Sequence, residues 1–113
     1  IASPEGRWSV TLEPLPAGGP HTLTAAGSTT ATLTNVLVGD VWICSGQSNM
    51  EWPLKLSDGG LVAATQAPAF GRMRLLRVGR NEAGEPRTDF VEPAKWAVPG
   101  VAEAEEFSAV AWY

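Results

Sequence analysis

Apolar and polar residues alternate at period two through Trp8-Ser9-Val10-Thr11-Leu12, the spacing of a strand with one face covered. Residues 13–20 follow with three prolines and two glycines, a loop that continues no regular element. His21-Thr22-Leu23-Thr24-Ala25 alternates again, Ala26-Gly27-Ser28 makes a turn, and residues 30–34 give a third strand. Short alternating strands between Gly/Pro turns predict an antiparallel sandwich or meander. Three strands are too few for a finished sandwich, and Ile1 enters without an initiating element, so residues 1–35 read as the end of a larger β-sandwich domain.

The pattern changes at Val36. Val36-Leu37-Val38-Gly39-Asp40-Val41-Trp42-Ile43-Cys44 is nearly continuous in apolar residues, as in a strand covered on both faces within the parallel sheet of an α/β fold. It breaks into the small, polar turn Ser45-Gly46-Gln47-Ser48-Asn49. A helix is predicted over residues 60–67, stopped by Pro68, and Arg72-Met73-Arg74-Leu75-Leu76-Arg77-Val78 reads as a second strand. Residues 81–93 are rich in turn formers, and Lys95-Trp96-Ala97-Val98 is a short extended piece. Residues 103–113 open a helix, with Ser108 as N-cap after Phe107 and acidic residues upstream. That helix stops at Tyr113 without a C-cap, so both ends read as truncated and residues 36–113 as the first part of an α/β domain.

Composition narrows the function classes. A chain of 113 residues allows one ordinary domain. The net charge of -4, with no Lys/Arg cluster, argues against a nucleic-acid partner. Apolar runs of a few residues cannot span a bilayer, and no basic-then-apolar leader opens the chain. The single cysteine, Cys44, excludes an internal disulfide and reads as a small buried hydrophobe. One histidine, one cysteine and scattered acids give no metal-ligand spacing. Five tryptophans read as packing residues, with sugar stacking as the alternative. Trp52 stands apart, four residues past Ser48 in the loop with the candidate chemistry.

Serine is a poor nucleophile until it is exposed and activated. A sharp turn directly after a central strand supplies the exposure, at the sheet edge where open α/β folds bind ligands. Gly46 permits backbone angles that strain other residues, and the N–H groups of Ser48 and Asn49 are placed to meet a developing oxyanion. One such donor is worth on the order of 10²–10³ in rate. The bare pattern is equally that of a Ser/Asn-rich turn satisfying its own backbone.

The longer string Gly39-Asp40-Val41-Trp42-Ile43-Cys44-Ser45-Gly46-Gln47-Ser48-Asn49-Met50-Glu51-Trp52-Pro53-Leu54 resembles the first block of the sialate O-acetylesterase group within the SGNH hydrolases. Gly6-Arg7-Trp8-Ser9-Val10-Thr11-Leu12 with Pro16-Ala17-Gly18-Gly19-Pro20 resembles the end of the β domain preceding that family's catalytic domain. Phe107-Ser108-Ala109-Val110-Ala111 resembles the start of a later helix. The resemblance implies a three-layer parallel sheet, of which only the first strands and helices lie here, preceded by the end of an antiparallel β-sandwich. It implies a serine esterase removing acetyl groups from sugars through an acetyl-enzyme, without metal or cofactor. Ser48 is then the nucleophile and a backbone oxyanion donor. Gln47 and Asn49 shape the turn, and Glu51 is a solvated or loop-bracing carboxylate.

The family's oxyanion glycine and asparagine and its Asp-X-X-His pair would all fall beyond Tyr113. His21, beside Pro20, reads as an exposed turn histidine, and Asp40, Asp58 and Asp89 have no histidine two or three positions later. Asp40 reads as ending or bracing its strand. The expected partners are therefore an O-acetylated carbohydrate and a C-terminal segment or second polypeptide supplying the missing groups. The resemblance also implies a secreted, periplasmic or lysosomal location. Acetylated xylan and other short-chain esters are alternative substrates. A non-catalytic carbohydrate-binding β module is the alternative of another class.

Overall fold

The computed structural model describes residues 2–113. Ile1, the expected entry into a β domain, lies outside the described residues. The backbone gathers into two compact units, one ending at Val41 and the other running Trp42–Tyr113.

In the first unit, β1 (Gly18–Ala26) and β2 (Thr30–Val38) pair antiparallel around a turn in which the Gly27 N–H donates to the Thr29 carbonyl at 2.9 Å. The period-two pattern is legible in the burial: His21, Leu23 and Ala25 are half-buried while Thr22 and Thr24 are exposed. The Thr24 and Thr32 hydroxyls lie 3.5 Å apart across the ladder. The register slips between His21, opposite Val36, and Leu23, opposite Leu33. Asn35 takes up the extra residue at φ 60°, a left-handed conformation that asparagine tolerates.

Two expectations are corrected here. Trp8, Val10 and Leu12 form no strand and are exposed, because alternation makes a strand only where a neighbour takes its backbone groups. The apolar run 36–44 is divided: Val36 to Val38 close β2, whereas Val41, Trp42, Ile43 and Cys44 join no ladder. A doubly covered strand needs a partner on each edge, and among the described residues nothing pairs with 41–46. Ile43 is accordingly 90% exposed, and Cys44 is exposed rather than buried. β2 itself runs to Val38, and the compact units divide after Val41.

The second unit is organised around Leu54, which is wholly buried among Ala64, Ala67, Ala104 and Ala109, with Ala63 and Trp112 packed alongside. Burial of such a side chain contributes about 1.5–3 kcal/mol. The alanines belong to short elements: α1 (Gly60–Thr65), the 3-10 turn Ala67–Ala69, α2 (Val101–Glu105) and α3 (Ala109–Trp112). Helices of four to six residues are not stable alone, so their side chains' contact with Leu54 sustains them. Phe70 closes one flank, edge-on to Trp112 at a ring separation of 5.9 Å.

Backbone bonds complete the frame. The Leu54 N–H donates to the Phe107 carbonyl at 2.8 Å, and the Ala109 N–H donates to the Trp52 carbonyl at 2.9 Å. This antiparallel bridge between Pro53 and Ser108 explains why the helix expected over 103–113 appears as two. Ser108 is held extended, and its Oγ then caps α3 by accepting from the Ala111 N–H at 3.3 Å. The helix expected over 60–67 forms as α1 and hands over to the 3-10 turn containing Pro68. The second strand expected over 72–78 does not form, because only Leu75 finds a partner: it meets Ala97, in the short extended piece 95–98, in one reciprocal bridge at 2.9 and 2.8 Å.

Gly60 starts α1 directly against the Leu54 carbonyl. A Cβ there would lie 1.6 Å from Leu54 O and 2.7 Å from its carbon, both backbone atoms. Helix propensity favours alanine over glycine by about 1 kcal/mol, but overpacking against fixed atoms costs about 1–3 kcal/mol or more. Gly60→Ala is therefore expected to destabilise the protein by at least about 2 kcal/mol in denaturant unfolding followed by tryptophan fluorescence. Gly71→Ala, where a Cβ meets nothing within 4 Å, is the control and should change stability little.

Candidate active site

Ser48 is the first residue of a 3-10 turn, Ser48–Glu51, entered from Gln47 in an extended conformation (φ -82°, ψ -168°). The Met50 N–H donates to the Gln47 carbonyl at 2.9 Å, and the Trp52 N–H donates to the Asn49 carbonyl at 3.2 Å. These bonds leave the Ser48 and Asn49 N–H groups without an acceptor among the described residues. Gln47, Ser48 and Asn49 are all exposed. No group among the described residues hydrogen-bonds the Ser48 hydroxyl. An exposed hydroxyl beside two free N–H donors at the head of a tight turn can both attack an electrophile and stabilise the negative charge that attack creates.

Gly46 serves this turn differently from the expectation. Its φ is not in the left-handed region; a Cβ there would instead lie 2.9 Å from the Met50 Cγ. The glycine is a matter of room for the Met50 side chain, which folds back over the turn.

The turn is fastened at its far end. Trp52 and Leu54, immediately after it, carry the two backbone bonds to 107–109 described above. Glu51, its last residue, pairs with Arg80: Nε donates to Oε1 at 2.6 Å, and Nη2 donates to Oε2. The Arg80 hydrogen bond holds the Glu51 carboxyl below the usual carboxylate range, against some loss of hydration, with the charges of Arg80 and Arg77 adding to the effect. Arg80 is raised in turn, by the same hydrogen bond first. Glu51 is thus loop-bracing. Its partner was not legible, since 29 residues separate the two and no local spacing links them. Glu51, Arg77, Arg80 and Glu92 line a cleft of about 490 Å³, with Val78 and Pro93 between them.

The other singled-out residues lie elsewhere. His21 is a strand residue of β1, half-buried, with its Nε2 buried and without a hydrogen-bond partner among the described residues, rather than an exposed turn histidine. The ladder position explains it, since residue 21 faces the covered side of the hairpin. It belongs to the first compact unit and Ser48 to the second. Asp40 follows the end of β2 and is exposed, Asp58 sits in the turn before α1, and Asp89 Oδ1 accepts from the Phe90 N–H at 2.8 Å. Among the described residues no three His, Cys, Asp or Glu side chains gather to hold a metal ion. No helix among them is long and apolar enough to cross a membrane.

No protein-family model matches the chain. It is 31% identical over 123 residues to a sialate O-acetylesterase of Mus musculus, covering 99% of this chain and 23% of that protein. The Homo sapiens sialate O-acetylesterase is 31% identical over 116 residues, covering 93% of this chain and 22% of that protein. Among solved structures, a carbohydrate acetylesterase from Xanthomonas citri superposes with a TM-score of 0.87 at 35% identity, over 96% of this chain and 25% of that one. The chain thus spans about a quarter of the length of the proteins it matches.

The Glu51 shift has a sign that can be checked. A carboxyl whose folded pKa is depressed contributes stability at pH above its unfolded value, and loses it as pH falls through the folded one. NMR titration of the side-chain carboxyls should place Glu51 below 4.5, the ordinary value, and Arg80→Ala should return it there. A Glu51 that titrates identically with and without Arg80 would contradict the pairing.

Proposed function

Since the chain belongs to the sialate O-acetylesterase group, we propose that it forms part of a serine-dependent hydrolase that removes O-acetyl esters from carbohydrates. The observation that carries this reading is Ser48 itself: an exposed hydroxyl at the head of a 3-10 turn, which, like its own N–H and that of Asn49, has no partner among the described residues. The Ser48 oxygen attacks the acetyl carbonyl carbon and passes its proton to a general base. The carbonyl oxygen, now negative, accepts a hydrogen bond from the Ser48 N–H. Collapse of the tetrahedral intermediate expels the sugar oxygen, which takes up the proton, and leaves acetyl on Ser48. Water then repeats the sequence on the acetyl-enzyme, releasing acetate and restoring the serine. Gln47 and Asn49 shape the turn rather than take part in proton transfer.

The base and the remaining oxyanion donors come, on this reading, from polypeptide outside these 113 residues, as a continuation or a second chain. They are the Asp-X-X-His pair, the glycine and the asparagine that the resemblance implies. The magnitude supports this division: loss of the histidine alone costs about 10⁶ in turnover in a well-studied serine protease, and no histidine belongs to the unit carrying Ser48. The rest of the fold follows the same reading. Residues 36–113 open the catalytic domain and 1–35 close a β-sandwich domain. Residues 41–46 become a central strand of a three-layer parallel sheet once neighbours flank them. The enzyme acts outside the cell, in the periplasm or in the lysosome, on acetylated sialate or on a polysaccharide such as acetylated xylan.

Ser48→Ala in the complete assembly is expected to lower turnover of a sugar acetate by about 10⁶-fold and to abolish labelling by a fluorophosphonate probe. A variant that retains both would overturn the proposal by placing the nucleophile elsewhere, and a wild-type assembly that shows neither would favour a carbohydrate-binding module.

A further inference from the structure

Glu51 has a well-defined partner and no part in the proton transfers above. We infer that Arg80 is a positioning residue for the Ser48 turn, acting through Glu51; this rests on the reading of Ser48 as nucleophile. The guanidinium meets the carboxylate with two nitrogens on two oxygens, which fixes the plane of the carboxylate as a single-point contact cannot. Glu51 is the last residue of the turn that Ser48 opens, so fixing its side chain fixes the turn's rotation about its own axis.

Arg80 is itself anchored. It follows the Leu75–Ala97 bridge by five residues, and Arg77 between them reaches the end of α2, where its Nη1 donates to the Glu106 carbonyl at 3.5 Å. The next carbonyl, that of Phe107, accepts from the Leu54 N–H. Contacts and backbone together close a circuit: the ion pair joins the turn to Arg80, three residues of chain lead back to Arg77, its hydrogen bond reaches Glu106, and the Phe107 carbonyl returns through Leu54 to the end of the turn. The 3-10 turn is braced on its side-chain face by an ion pair and at its C-terminal end by backbone.

Energetics separate this role from a stabilising one. Arg80 is 80% exposed along its side chain, and exposed ion pairs add little to global stability. Alignment is another matter, since a displacement of about 1 Å at the reacting atom can cost on the order of a hundredfold in rate. The pair therefore acts on turnover far more than on folding.

The test is a kinetic split in the complete assembly, using p-nitrophenyl acetate, which has no sugar, beside a sugar acetate. Arg80→Ala is expected to lower kcat on both esters by about ten- to a hundredfold, with KM changed less than about threefold and the thermal midpoint unmoved. Arg80→Lys, which keeps the charge but not the fork, should recover only part. Glu51→Gln should match Arg80→Ala, and the double variant should be no worse than either single, as for residues that act as one unit. A rise in KM confined to the sugar ester would make Arg80 a substrate-binding residue of the cleft and overturn the inference. A fall in kcat accompanied by a lowered thermal midpoint would overturn it in favour of a structural role. Ser48→Ala run alongside separates the two levels. If it is inactive while Arg80→Ala is unimpaired, the inference alone fails; if it stays active, the reading of Ser48 fails and the inference with it.

Discussion

The second unit depends on how Leu54 is held. Its side chain is the largest one fully buried among the described residues, and its N–H is bound to Phe107. Its carbonyl accepts from the Ser57 N–H at 3.0 Å and lies so close to Gly60 that no side chain fits between. Three short helices and one 3-10 turn surround this one residue because alanines, at Ala64, Ala67, Ala104 and Ala109, let their backbones approach it. With Leu75 as the one other large aliphatic side chain buried among the described residues, the unit has little hydrophobic energy to spend, since small units bury a small share of their surface. Backbone bonds and close approach therefore do much of the specifying.

The consequence for chemistry is positional. The turn that carries Ser48 ends two residues before Pro53, and the bridge between Pro53 and Ser108 sets where it ends. The serine is thus fixed from its C-terminal side by the frame, while its hydroxyl and the first two N–H groups of the turn have no partner among the described residues. This is the division an acyl-transfer site requires: rigid support behind, unsatisfied donors in front. In the proposed enzyme, what remains is a base, and it has to be brought to a hydroxyl already held in place.

The sequence was informative where chemistry is local. The two strands of the hairpin, the start of α1 at Gly60, the Ser108 cap and the turn at Ser48 each follow from neighbouring residues, so pattern alone located them. It misled where an element needs a distant partner. Trp8 to Leu12 alternates like a strand and 41–44 is apolar like a buried one, yet neither has a ladder among the described residues. Cys44 is exposed for the same reason, the burial expected of it depending on a strand that has no neighbours among the described residues. Two further corrections are instructive in another way. Gly46 proves to be there for Met50 rather than for its φ, and His21 is set in a ladder rather than a turn. The Glu51–Arg80 pair was illegible because 29 residues of chain intervene between its halves.

The central claim is that the Ser48 oxygen accepts the acetyl group. Rapid acid quench of the complete assembly during turnover of an acetyl ester, followed by peptide mapping in a mass spectrometer, tests it at the atom concerned. A peptide containing Ser48 and carrying one acetyl group on that serine, appearing with substrate and discharging when substrate is exhausted, is the expected result. Turnover with acetyl on another residue, or with Ser48 unmodified throughout a burst of product, would contradict it.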